Sequence, residues 1–291
     1  MTMEPPKVYS GSGDPLLASL LDLLYELRNT DIRLTLAGGY GLYLKHMCVA
    51  QSRQRVLISD IPPARSTSDL DIFLQTELFA HPRELRLVRE ALNQLGYIPK
   101  APNWQFVMPD SGIARLKIDL HARTPDPDAY PDLKNDSVRV KPTESVGLHG
   151  RHTPEAVTIE EFPLEIIVSG SLANSESFQA PIYLPHAHPF LMMKLHAFRD
   201  QELEGRLDFA RKHAIDVYTI TALMTEVEYE TCKKLSISYA DHPAIISAAE
   251  IVRQYFSDDK SIGVIRFMED GFHPRESDIE MFLRALTETL L

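Results

Sequence analysis

Two aspartates separated by one residue carry the clearest chemical signal in this chain. They lie in the segment STSDLDIFL at residues 66–74, whose alternation of polar and apolar residues predicts a strand. Side chains alternate between the two faces of a strand, so Asp69 and Asp71 share one face. Two adjacent carboxylates repel each other unless a cation lies between them, and hard oxygen ligands suit Mg²⁺. The pair therefore predicts a divalent cation site.

A second segment carries a third acid in the same kind of pattern. Residues 114–121 read ARLKIDLH, which puts Lys117, Asp119 and His121 on one face of a predicted strand. If this strand lies near the first one, Asp119 completes a three-carboxylate site. Such a site can hold one or two metal ions that stabilise the attacking and leaving oxygens in phosphoryl transfer. The alternative is that each acid belongs to the solvated polar face of its strand. His121 could neighbour Asp119, but the simpler interpretation places it on a polar strand face.

A pair of glycines precedes the first two aspartates. The segment LAGGYGLYL at residues 36–44 predicts a strand, a turn at Gly38 and Gly39, and the start of a helix. Such a turn lets the backbone approach a phosphate, and a helix N-terminus offers unpaired N–H donors. The sequence lacks both the Gly-x-Gly-x-x-Gly spacing and the P-loop lysine. A tight structural turn is therefore the alternative to a phosphate site.

The elements around these residues predict an α/β fold of the α+β kind, with a mixed sheet followed by a helical C-terminal region. Hydrophobic spacing predicts helices over residues 15–29, 82–95, 189–202, 206–226, 243–256 and 277–290. Strands are predicted at 32–37, 70–74, 164–169 and 181–184, and a hairpin joins 104–108 to 113–121. Residues 48–66 and 124–155 show little pattern. The predicted domains are a flexible lead over 1–13, an α/β domain over 14–188 and a helical domain over 189–291.

The composition narrows the classes of protein. The chain has 291 residues, 44% of them hydrophobic, and a net charge of −11, which disfavours broad nonspecific binding to nucleic acid. Its two cysteines form no CxxC pair, so neither a zinc ribbon nor a disulfide framework is indicated. No run approaches the roughly 18 apolar residues that span a bilayer. We expect a cytoplasmic protein without a membrane partner.

The motifs together resemble the DNA polymerase β-like nucleotidyltransferase superfamily, in which a glycine turn precedes an Asp-x-Asp strand and a third Asp follows. The helical half adds PFLMMKLHAFR at 189–199 and RKHAIDVY at 211–218, which are similar to signatures of the AbiEii/MenA group. Members of that group are nucleotidyltransferase toxins of toxin–antitoxin and phage-defence systems. The resemblance covers residues 34–75 and 189–225 well. This chain differs by a longer segment over 45–65 and by His213, where many relatives have Asp.

The resemblance implies a role for each matching residue. Asp69 and Asp71 would bind Mg²⁺ or Mn²⁺, with Asp119 as the third acid. Gly38 and Gly39 would hold the phosphates of an NTP substrate, and a hydroxyl from Thr67 or Ser68 would stand beside the nucleotide.

Lys194 would contact the triphosphate, and Asp216 matches the late acid of the group. The implied acceptor is an RNA or tRNA end or a protein, with a small molecule as a third choice, and an antitoxin is an implied partner.

Lys194 and Asp216 are also candidate functional residues on physical grounds, because each lies on an otherwise apolar stretch of a predicted helix. A charge in such surroundings needs a partner or a ligand. The alternatives to a phosphate contact are that Lys194 pairs with Asp216, or that Lys212 pairs with Asp216 at i,i+4 spacing. For the whole chain, two further alternatives remain open. One is a catalytically silent nucleotide- or partner-binding module, and the other is a metal-dependent hydrolase that uses the same carboxylates.

Overall fold

The structure is a computed structural model that describes residues 6–9, 14–52, 54–63, 65, 67–109, 116–269 and 271–291. Most of the predicted lead over 1–13 lies outside the described residues, as does the predicted hairpin turn over 110–112. The chain forms two compact units. The first contains residues 1–52, 65–154 and 162–185, and the second contains 53–64, 155–161 and 186–291. The sequence predicts a single domain boundary at residue 188. That boundary leaves the segments 53–64 and 155–161 in the first domain, whereas the structure assigns them to the second unit.

The first unit is built on one mixed sheet. Its strands are β1 (Lys7–Tyr9), β2 (Leu34–Leu36), β3 (Asp69–Leu74), β4 (Ile98–Lys100), β5 (Gln105–Val107), β6 (Lys117–Ala122), β7 (Lys134–Asn135), β8 (Arg139–Lys141), β9 (Gly150–His152), β10 (Leu164–Ser171) and β11 (Ser177–Leu184). The main strand order is β1-β10-β11-β2-β3-β6-β9-β8-β7, and β5 pairs with both β4 and β6. Strand β3 lies antiparallel to β2 and parallel to β6. The predicted α/β class with a mixed sheet is confirmed.

In the described residues of the first unit, three α-helices and a short 3₁₀ helix accompany the sheet. They are α1 (Pro15–Glu26), α2 (Gly38–Ser52), α3 (Pro82–Gln94) and the 3₁₀ helix (Thr76–Ala80). Helix α1 begins at Pro15 because the Asp14 carboxylate accepts hydrogen bonds from the backbone N–H groups of Leu16 and Leu17. Helix α2 runs to Ser52, so the prediction of an irregular segment from residue 48 was wrong over its first five residues.

The core of the first unit lies against the apolar faces of β3 and β6. Leu70, Ile72, Ile118 and Leu120 are fully buried, as the alternation of these strands predicts. The predicted hairpin is confirmed by the antiparallel pairing of β5 with β6. Strand β1 pairs parallel with β10, so three residues of the predicted lead belong to the sheet.

The second unit consists of helices together with two short segments. The helices are α4 (Ala187–Leu203), α5 (Leu207–Ala222), α6 (Glu226–Ser238), α7 (Pro243–Tyr255), α8 (Ile262–Met268) and α9 (Glu276–Leu290), which confirms the helical C-terminal region. Tyr218 is buried among the rings of Phe267 and Phe282, and its hydroxyl donates to the backbone oxygen of Asp60. That bond attaches the segment 54–63 to this unit. In the described part of the chain, no helix has the length and apolar character needed to cross a membrane.

Candidate functional site at the carboxylate strands

The structure brings the three predicted carboxylates to one face of the sheet. Asp71 on β3 and Asp119 on β6 are direct partners across a parallel strand pair. Asp69 lies two residues before Asp71 and therefore faces the same side. Facing residues on neighbouring strands bring their Cβ atoms within about 5 Å of each other. Asp69, Asp71 and Asp119 thus share one face of two neighbouring strands in the first unit, and we call these three residues the carboxylate site.

Asp69 is held by the hydroxyl that precedes it. The Thr67 hydroxyl donates a hydrogen bond of 2.7 Å to Asp69 Oδ1, while Ser68 between them is exposed. Of the two hydroxyls predicted to lie near a nucleotide, Thr67 is therefore the one that contacts the carboxylate site. Because the hydroxyl is engaged with Asp69, it orients that carboxylate on the partly open edge of the site.

The predicted glycine turn packs directly against the same group. Helix α2 begins at Gly38, whose φ is +62°. A Cβ at Gly38 would stand 1.8 Å from Asp71 Oδ2, and one at Gly39 would stand 3.2 Å from the Thr67 Cβ. Gly38 is thus required both by its backbone conformation and by the space that the Asp71 carboxylate occupies. The close approach places a helix N-terminus beside the carboxylates, which is where an anionic ligand would be stabilised.

Asp119 is the most enclosed acid of the three. It is 7% exposed, and Gln105 Nε2 donates a hydrogen bond of 2.8 Å to its Oδ1. Burial raises the pKa of Asp119, and the negative charges of Asp71 and Asp69 raise it further, while the Gln105 hydrogen bond and His121 oppose the shift. A carboxylate whose pKa is raised is a stronger proton acceptor when it is ionised.

Two side chains at the site were not identified as functional from the sequence. Gln105 lies opposite Asp119 in the β5–β6 pairing, so the register of the predicted hairpin was the signal that could have revealed it. The sequence predicts a polar strand face for His121, but its Nε2 lies 3.1 Å from Asp71 Oδ1 and the residue is 7% exposed. The sequence feature that could have identified His121 is its position two residues after Asp119, because this spacing places both side chains on one face of the strand.

Lys194 and Asp216 form an ion pair in the second unit. Lys194 Nζ on α4 lies 2.8 Å from Asp216 Oδ2 on α5, and both side chains are nearly buried. This is the first of the two pairings that the sequence left open as alternatives to a phosphate contact. The roles that the family resemblance gives to Lys194 and Asp216 stay predictions.

The donor set of the carboxylate site fits a hard divalent cation, since every acidic donor is a carboxylate oxygen. Within the described residues, no group of three or more His, Cys, Asp and Glu side chains is arranged to hold a metal ion. Mg²⁺ does not require such a group, because it usually keeps several waters and binds through one or two carboxylates together with substrate phosphates. The site can therefore contribute part of a coordination shell that a nucleotide would complete.

Comparison with known proteins adds no further assignment. No protein-family model matches the chain, and no curated protein matches it at a significant level of similarity.

Proposed function

We propose that this protein is a metal-dependent nucleotidyltransferase that moves a nucleoside monophosphate from an NTP to an acceptor hydroxyl. One observation carries the proposal: Asp71 and Asp119 face each other on adjacent parallel strands, Asp69 shares their face, and Gly38 begins a helix against the Asp71 carboxylate. Carboxylates beside a helix N-terminus combine a cation site with an anion site, which is what a metal-bound triphosphate needs.

Each part of the site has a role in this proposal. Asp69 and Asp71 would hold Mg²⁺ or Mn²⁺. The metal would neutralise charge on the triphosphate and on the oxygens at the reacting phosphorus. The backbone at Gly38 and Gly39 approaches the phosphates, and the absence of side chains there leaves room for Asp71 and Thr67 beside the turn.

Asp119 acts as the proton acceptor. The acceptor hydroxyl oxygen forms a bond to the α-phosphorus while the bond from that phosphorus to the bridging oxygen of the leaving pyrophosphate breaks. The hydroxyl proton passes to Asp119, whose pKa is raised by burial and by the neighbouring carboxylates. Its Oδ1 stays fixed by Gln105, so the carboxylate is oriented before the acceptor arrives.

The acceptor follows from the family resemblance rather than from the geometry. An RNA or tRNA end or a protein hydroxyl is the acceptor that we propose, and the biological setting is that of a toxin with a cognate antitoxin. The family resemblance also implies a triphosphate contact for Lys194, whose ammonium forms a 2.8 Å ion pair with Asp216 in the second unit. A catalytically silent binding module with the same fold is the competing proposal.

Label transfer tests the enzyme directly. The full chain is incubated with each α-³²P-labelled NTP, Mg²⁺ and total RNA or cell protein, and transfer to RNA, protein or the chain itself is measured. We expect Asp69→Asn and Asp71→Asn each to lower the rate by at least about 100-fold, because each removes a carboxylate that would hold the metal, and the metal would neutralise the triphosphate. Asp132→Asn is the matched control, since Asp132 is an exposed aspartate of the same unit.

The possible outcomes separate the competing functions. Transfer that requires Asp69 and Asp71 but not Asp132 supports the nucleotidyltransferase. Release of phosphate or nucleoside monophosphate without any labelled acceptor would identify a hydrolase instead. NTP binding without either reaction would favour the silent binding module.

A further inference from the structure

His121 forms one of the close side-chain contacts in the carboxylate site. It lies on β6, two residues after Asp119, and its main chain pairs with that of Phe73 on β3. This register places the imidazole diagonally across from Asp71, with 3.1 Å between His121 Nε2 and Asp71 Oδ1. Because a carboxylate only accepts hydrogen bonds, the imidazole nitrogen donates to it.

The imidazole is itself fixed from two further sides. Its Nδ1 lies 3.1 Å from the Thr153 hydroxyl, and both residues are buried. Its ring stacks on that of Phe73 with 5.0 Å between the ring centroids and an interplanar angle of 24°. The ring can therefore neither rotate nor shift without losing a hydrogen bond or a stacking contact, so the N–H that faces Asp71 has a fixed direction.

The hydrogen bond from His121 helps to set the orientation of the Asp71 carboxylate. Oδ1 of Asp71 receives the imidazole N–H, while Oδ2 lies on the side of Gly38, where an added Cβ would overlap it. These two constraints define the plane of the carboxylate. Asp69 and Asp119 are oriented in the same manner through their own Oδ1 atoms, by Thr67 and Gln105. His121 thus belongs to a set of donors that pre-organise all three carboxylates.

We propose that His121 is a positioning residue that fixes Asp71 for binding of a divalent cation, and that Thr153 fixes His121 in turn. Hydrogen-bond partners of metal-binding carboxylates typically contribute about 10- to 100-fold to metal affinity. The proposal rests on the proposed function only in that Asp69 and Asp71 bind the cation. It assigns to His121 no contact with the metal or with the substrate.

Direct binding of Mn²⁺ tests the assignment without any need for turnover. The metal-free full chain is titrated with Mn²⁺, and the free ion is followed by electron paramagnetic resonance. We expect His121→Ala to weaken Mn²⁺ affinity about 10- to 100-fold and Thr153→Val to weaken it less. His121→Gln should recover part of the loss, because an amide N–H can reach the position of Nε2. Urea unfolding of each metal-free variant establishes that it is folded.

His152 provides the matched control. It lies on β9 in the same sheet, and both of its ring nitrogens are also engaged, with the Thr124 hydroxyl and the backbone oxygen of Asp136. His152→Ala should leave Mn²⁺ affinity unchanged. Equal affinity in wild type, His121→Ala and His121→Gln would overturn the inference alone, as would an equal loss in His152→Ala. Absence of Mn²⁺ binding in the wild type would overturn the proposed function and this inference together.

Discussion

Asp71 and Asp119 face each other across a parallel strand pair, yet their surroundings differ. Asp71 lies between an imidazole and a glycine at a helix N-terminus, whereas Asp119 is enclosed and receives the Gln105 amide. Two facing carboxylates in this arrangement store electrostatic repulsion when no cation is present. The difference between their surroundings is the basis for the different roles that we propose, in which Asp71 would hold the metal and Asp119 would accept the proton.

Asp119→Asn should stabilise the metal-free protein against unfolding. The same substitution should abolish nucleotidyl transfer. The asparagine oxygen can keep the hydrogen bond from Gln105, and the substitution removes a buried charge that Asp71 and Asp69 repel. We expect a gain on the order of 1 kcal/mol, which corresponds to an increase in Tm of about 2–4 °C. Calorimetry in EDTA measures it, with Asp132→Asn as the exposed control. A lower Tm for Asp119→Asn would show that the ionised carboxylate is stabilising.

Gly38→Ala should destabilise the protein more than Gly96→Ala, although both glycines have a positive φ. An alanine at Gly38 meets both the φ of +62° and the Asp71 carboxylate, whereas at Gly96, with a φ of +82°, an added Cβ has no neighbour within 4 Å. Gly96→Ala should therefore cost about 1 kcal/mol for backbone strain alone. Gly38→Ala should cost more and should also weaken Mn²⁺ binding, because Asp71 must move. Urea unfolding and Mn²⁺ titration of both variants compare them, and equal behaviour would contradict the packing of Gly38 against Asp71.

The pattern of the sequence predicts much of the carboxylate site. Strand alternation placed Asp69 with Asp71 and Asp119 with His121, and the structure confirms both shared faces. The parallel pairing of β3 with β6 was not predictable from local pattern, because α3 and the strands β4 and β5 lie between them in the chain. The hydrogen bond from His121 to Asp71 depends on that pairing, which is why the local pattern predicts only a polar strand face for His121.

Other elements were missed because they are short or polar. The strands β7, β8 and β9 have two or three residues each, which is too few for alternation to be visible. Helix α6 has many charged residues and only two buried positions, although the capping box of Thr225 and Glu228 marks its start. The assignment of residues 54–63 to the second unit depends on contacts such as Tyr218 to Asp60, which no local pattern expresses.

Because Lys194 and Asp216 form an ion pair, replacing both residues should destabilise the protein less than replacing either one alone. Removing one member of a buried pair leaves the other charge without compensation and typically costs about 3–5 kcal/mol, whereas an apolar replacement of both is often close to neutral. We therefore expect Lys194→Met and Asp216→Leu each to destabilise strongly, and the double variant to recover most of the loss in urea unfolding. Additive losses would contradict a direct pair. Transfer activity that stays low in the stable double variant would support a role for Lys194 at the triphosphate.

Buried histidines of the second unit should make its stability depend on pH. Burial lowers the pKa of His188 to about 3, with a smaller contribution from His186, against an ordinary value of 6.5. The unfolded chain takes up a proton below pH 6.5 and the folded protein does not, so stability falls with falling pH by up to about 1.4 kcal/mol per pH unit. The advantage of wild type over His188→Gln in urea unfolding should therefore shrink by about 2 kcal/mol between pH 7 and pH 5. A constant difference would contradict a neutral buried His188.

In the proposed function, Asp69 and Asp71 hold the metal of a nucleotide substrate. A crystal structure of the full chain with Mn²⁺ and a non-hydrolysable NTP, with the metal located by anomalous scattering, tests it most directly. We predict a metal bound to oxygens of Asp69 and Asp71 and to the triphosphate, with the phosphates beside Gly38 and Gly39 and the α-phosphorus on the face that carries Asp119. A nucleotide bound elsewhere on the protein, or a metal that contacts neither Asp69 nor Asp71, would contradict the proposed function.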